Sequence, residues 1–99
     1  MTPTLEKIER RVREIVESST GDETLLVLKM YLYIASMYSQ FGLFFDAKNA
    51  ATLTEGIRKT IEDHTKNGQF DPESYIEEMS KTVLYLFRRI MMRSTGELN

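Results

Sequence analysis

Residues 25–41 form the longest apolar stretch of the chain and constrain its fold more than any other segment. They include Leu25, Leu26, Val27, Leu28, Met30, Tyr31, Leu32, Tyr33, Ile34, Ala35, Met37, Tyr38 and Phe41. Lys29, Ser36 and Gln40 interrupt the stretch and share one narrow helical line with Tyr33. A helix apolar on nearly every side must be covered on nearly every side. The alternative, a membrane span, needs about 20 mostly apolar residues. Lys29 enters the run early, and Gln40 and Gly42 follow, so no membrane partner is expected. The stretch therefore predicts a buried central helix over residues 23–41, and the other segments must supply its cover.

Three further helices are predicted. The first runs over residues 5–18, behind Thr4 as N-cap. Its apolar positions, Leu5, Ile8, Val12 and Ile15 with Val16 beside them, make a narrow stripe among Glu, Lys and Arg. Gly21 and Asp22 break the chain before the central helix. Gly42 stops that helix, and Asp46 caps a third over residues 47–66, with Ala50, Leu53, Ile57 and Ile61 inward. Gly56 lies inside the third helix, where it predicts a close approach by a neighbour. Asn67 and Gly68 are expected to end this helix through a left-handed residue.

Asp71 and Pro72 then give the strongest start signal in the chain. Asp71 is the N-cap, Pro72 occupies the first helical position, and Phe70 can pack back on Tyr75. The fourth helix covers residues 72–93, with its acids early and its bases late, as the helix dipole favours. Residues 94–99 read as a frayed tail.

Ninety-nine residues with 41% apolar and 28% charged side chains make one globular domain, residues 1–99, with a core of its own. Short connections favour antiparallel neighbours. The expectation is an all-α, four-helix antiparallel bundle-like single domain with a buried central second helix. The chain has no cysteine, which excludes disulfides and thiolate chemistry and fits a reducing, cytoplasmic setting. The opening residues turn charged at once, so no secretory signal is expected.

No catalytic constellation emerges. His64 is the sole histidine, beside Asp63, and it has no second histidine or cysteine to complete a zinc set. It reads as a half-exposed side chain near a helix end. The five glycines are isolated, so no phosphate loop forms, and no G-x-S-x-G elbow is present. Many carboxylates stand at salt-bridge spacing, such as Glu6 with Arg10 and Glu9 with Arg13. The chain is therefore expected not to be an enzyme and to need no cofactor.

Asp63, Thr65 and Asn67, followed by Gly68, Phe70 and Asp71, stand at the spacing of an oxygen-ligand loop between two helices. Residues 63–74 in this register resemble an EF-hand calcium loop, with Gly68 at the sharp turn. The likeness implies calcium binding. Three positions depart from the pattern: Ser74 replaces the bidentate glutamate, Thr65 replaces a carboxylate, and Lys66 adds a positive charge. A helix-ending glycine followed by an Asp-Pro helix start produces much of the same pattern without an ion. No metal site is assigned.

Two binding readings remain. Tyr38, Phe41, Leu43, Phe44 and Phe45 crowd one stretch, and Met91 and Met92 lie on helix four. Aromatic and methionine surface that thin helices leave uncovered marks a partner site. The first reading is thus a helical protein–protein interaction module (a small subunit, adaptor or chaperone-like partner) that associates with itself as a dimer or higher oligomer. Its contact is expected at those seven residues or on a face of helices two and four. The second reading is a nucleic-acid-binding regulator. It would use Arg10, Arg11 and Arg13 of helix one with Arg88, Arg89 and Arg93 of helix four. The net charge of −2 and the glutamates of helix one weaken that field.

Overall fold

The computed structural model describes residues 4–94, the last two by backbone alone. It is an all-α bundle of four helices: α1 (Leu5–Glu17), α2 (Glu23–Ser39), α3 (Ala47–Asp63) and α4 (Pro72–Ser94). One small hairpin, β1 (Thr65–Lys66) with β2 (Gln69–Phe70), joins α3 to α4. α1 lies along α4 and runs against it, so that Arg13 near the end of α1 meets Glu73 in the first turn of α4. α2 packs on α3, and α2 and α4 each touch all three other helices.

Side-chain caps fix where the helices begin. Thr4 Oγ1 accepts the Lys7 N–H at 3.2 Å, Asp22 Oδ1 the Leu25 N–H at 3.0 Å, and Asp46 Oδ1 the Asn49 N–H at 2.7 Å. Asp71 Oδ1 accepts the Ser74 N–H at 3.3 Å, with Pro72 opening α4 where no N–H is needed. The Phe70 and Tyr75 rings meet edge-on, centroids 5.3 Å apart, and staple the hairpin to the helix.

Two helix ends differ from the sequence expectation. α2 stops at Ser39 because Gly42 turns left-handed at φ +73°; the Gly42 and Leu43 N–H groups donate to the carbonyls of Ser39 and Tyr38, a Schellman closure. α3 stops at Asp63, short of the expected 66. Asn67 and Gly68 take φ +55° and +77°, so they form a two-residue hairpin turn rather than a helix stop. Thr65 pairs with Phe70 and Lys66 with Gln69. The expected frayed tail lies outside the described residues, except for Ser94, which closes α4.

The core gathers the α1 stripe of Ile8, Val12, Ile15 and Val16. From α2 come Leu26, Val27, Met30, Ile34 and Met37. α4 contributes the most, with Tyr75, Ile76, Met79, Val83, Phe87 and Ile90. Each such side chain fully buried contributes about 1.5–3 kcal/mol. α3 buries only Ile57 and Ile61, while Ala50 and Leu53 are half-buried. Gly56 is exposed, and a Cβ built there would meet nothing within 4 Å, so the expected close approach is absent. α2 is central in its contacts but not covered all round. Its neighbours close over the line of Leu26, Met30, Ile34 and Met37, and the opposite side faces outward.

Candidate interaction surface

The outward side of α2 carries Leu25, Leu28, Leu32 and Ala35, spaced three, four and three residues apart. That spacing places them on one line, as in the seam of a two-stranded coiled coil. Leu28 is 51% exposed and Leu32 54%, whereas Met30 between them is 0% exposed on the core side. Ser39 continues the line one turn on, and no charge falls on it. A groove on one side of the line runs between α2 and α3, past Leu28, Tyr31, Thr54 and Arg58. A second groove runs between α1 and α2, past Arg11, Leu32, Tyr33 and Ser36.

The cations beside this line are engaged within the chain. Lys29 Nζ donates to Ser18 Oγ at 2.9 Å. Arg11 lies 3.4 Å from Glu14 and 6.0 Å from the Tyr33 ring centroid. Arg58 donates to Glu55 at 3.0 Å.

The aromatic corner predicted from the sequence is largely packed inward. The Tyr38 and Phe45 rings stand 4.7 Å apart, and Phe45 also meets Tyr31 at 6.1 Å. Leu43 and Met91 are half-buried against the core. The Phe41 ring sets its edge against Phe87 at 5.9 Å, although Phe41 remains 37% exposed. Phe44 is 80% exposed on the α2–α3 connection, and Met92 is partly exposed. The corner is therefore mostly an internal aromatic cluster with Phe44 standing out from it.

The described arginines are spread along α1 and α4, and most are engaged within the chain. Arg13 grips Glu73 with two hydrogen bonds, Nη1 to Oε2 at 2.6 Å and Nη2 to Oε1 at 3.0 Å, and each group holds the other in its charged form. Arg10 lies 3.8 Å from Glu6. Arg89 donates to the Tyr85 hydroxyl at 3.0 Å, and Arg88 is exposed. At 1.5 Å per residue, Arg88 is about 22 Å along α4 from Glu73, and thus from Arg13. The Arg93 side chain lies outside the described residues.

His64 is more enclosed than expected, with its side chain 15% exposed. Its Nδ1 lies 2.8 Å from Ser74 Oγ and its Nε2 3.3 Å from Glu78 Oε1, with the ring edge-on to Tyr75. Its carbonyl accepts the Asp71 N–H at 2.8 Å. The histidine fastens the hairpin to α4. The calcium-loop register falls on this hairpin: Asp63 closes α3, and the Thr65 hydroxyl donates to the Ile61 carbonyl at 2.7 Å. Among the described residues, no three carboxylate or histidine side chains are grouped to hold a metal ion.

No protein-family model matches the chain, and no curated protein or solved structure does. No helix among the described residues is long and apolar enough to cross a membrane. The features a binding role would use are therefore those of the chain itself. Leu28 and Leu32 were not singled out from the sequence, because a run apolar on all sides hides which line turns outward. The signal that separates them is the three-four-three spacing of Leu25, Leu28, Leu32 and Ala35, set against the core line of Leu26, Met30, Ile34 and Met37.

Proposed function

We propose that this protein is a non-enzymatic helical interaction module that associates with a second copy of itself. The observation that supports the reading is the uncharged outward line of α2, where Leu28 and Leu32 are each about half exposed beside two grooves. An uncharged leucine line flanked by grooves offers apolar surface that a partner helix can cover. The exposed Phe44 and Tyr85 add apolar surface elsewhere for a further partner. The absence of cysteine fits a cytoplasmic setting for the assembly.

Light scattering over a range of concentrations, run beside a gel shift with nucleic acid at several salt concentrations, tests the reading. The expected result is a mass of twice the chain or more and no shift. A monomer at every concentration, with a shift that weakens steeply as salt rises, contradicts it. That outcome would favour a regulator using Arg10, Arg11, Arg13, Arg88, Arg89 and Arg93.

A further inference from the structure

We infer that the self-association proposed above is an antiparallel pairing of α2 with the α2 of a second copy, along Leu25, Leu28, Leu32 and Ala35. The inference rests on that reading and names its surface and its geometry.

The line is symmetric about Met30. Leu28 and Leu32 lie two residues to either side of it, and Leu25 and Ala35 lie five. A two-fold axis through that midpoint sets Leu28 on the partner's Leu32 and Leu25 on the partner's Ala35. An isologous contact needs a patch that complements itself in this way. Each layer then joins either two leucines or a large side chain with a small one, so the layers fill evenly. A parallel pairing instead sets Ala35 on the partner's Ala35 and leaves a gap there. Antiparallel helices also oppose their dipoles favourably.

The uncharged seam and the paired arginines beside it are compatible with a second copy as the occupant. The seam carries no charge, and the flanking Lys29, Arg11 and Arg58 are held by Ser18, Glu14 and Glu55 of their own chain. Arg11 and Arg58 thus bring no unpaired charge to the contact, whereas Lys29, bonded to a neutral hydroxyl, keeps its charge and stands close to the two-fold axis beside the partner's Lys29. A helix of 17 residues is about 25 Å long and 10 Å wide, which gives a strip of about 250 Å². One helix width from each of α1, with 13 residues, and α3, with 17, brings the face to at most about 700 Å². A standard interface buries about 800 Å² per partner. The seam alone is too small, so the grooves on both sides must also close over the partner.

The test is sedimentation equilibrium of the full chain and of the Leu28→Glu, Leu32→Glu double variant, with Phe44→Glu as a control. Both leucines are half exposed, so circular dichroism is expected to show the double variant folded with the wild-type helix content. Wild type and Phe44→Glu are expected to be dimers, and the double variant to associate about 100-fold or more weakly. Because the chain has no cysteine, orientation can be read from disulfides. Leu28→Cys mixed with Leu32→Cys is expected to crosslink between the two variants in preference to either with itself. A monomeric wild type overturns this inference together with the self-association reading. A dimer that survives the double substitution, or Leu28→Cys crosslinking to itself, overturns the seam or its direction alone and leaves self-association standing.

Discussion

Arg13 and Glu73 are sixty residues apart in the chain, yet they meet through two hydrogen bonds of 2.6 and 3.0 Å. The contact joins the last turn and a half of α1 to the first turn of α4, at the rim of the core that packs those two helices together. The Arg13 guanidinium holds the Glu73 carboxyl below its ordinary value of 4.5. A carboxyl lowered on folding stabilises the fold above its unfolded value, and that contribution is lost as pH falls through the folded one. Thermal melts are thus expected to be flat from neutral pH to the ordinary carboxylate range and to fall below it. Asp71 acts in the same direction, lowered chiefly by its hydrogen bond from the Ser74 backbone. Glu73→Gln is expected to lower Tm slightly at neutral pH and to make the acid fall shallower. Both groups are exposed, so molar salt is expected to shrink the difference. An acid slope unchanged in Glu73→Gln would remove the pair from the account.

Gly56 is an exposed glycine in the interior of α3, with open space where a Cβ would go. Gly56→Ala is expected to stabilise the protein by about 0.5–1 kcal/mol, mainly through the conformational entropy of the unfolded chain. For a chain of this length, that is a rise in Tm of about 2–8 °C. A fall in Tm would show that something packs against α3 at that point.

Gly68 behaves in the opposite sense. It sits at φ +77° in the hairpin turn, where a side chain is strained even though there is room for one. Gly68→Ala is expected to destabilise by about 1–2 kcal/mol, read from denaturant melts. Calcium titration of the wild-type chain is expected to leave both Tm and tyrosine fluorescence unchanged, because the Thr65 hydroxyl is already bonded to Ile61 and Ser74 replaces the closing glutamate.

The Ser80 and Tyr75 hydroxyls are both buried, and among the described residues neither has a hydrogen-bond partner. Burial also raises the Tyr75 hydroxyl above the ordinary phenol range, so it stays neutral. Removing a buried, unsatisfied polar group is neutral or stabilising when the shape is kept. Tyr75→Phe and Ser80→Ala are each expected to leave stability unchanged or raise it by up to about 1 kcal/mol. A loss above about 1 kcal/mol in either would reveal a bond that these hydroxyls do make.

The parts of the fold set by local chemistry were legible in the sequence. Thr4, Asp22, Asp46 and Asp71 cap where their side chains predict, and the Phe70–Tyr75 staple forms because both residues flank the same cap. The Asn67-Gly68 turn was misread, since one dipeptide serves equally as a helix stop and as a hairpin turn; only the pairing of Thr65 with Phe70 decides between them. Which apolar side chains stay exposed was the least legible part. Tyr38, Leu43 and Phe45 have the composition of a contact, but they find partners in their own chain once α2 closes on α3. Leu28 and Leu32 have the composition of a core and are left outside it. Which side of α2 turns outward depends on where α1, α3 and α4 lie, and no pattern within residues 25–41 states that.

In the proposed dimer the outward leucines of α2 are covered by those of a second copy. Isotope-filtered nuclear Overhauser measurements on a mixture of labelled and unlabelled chains test it most directly. Contacts between chains are expected from the Leu28 methyls to those of the partner's Leu32, and from Leu25 to the partner's Ala35. Contacts between chains confined to Phe41, Phe44 and Met92, or none at all, would contradict it.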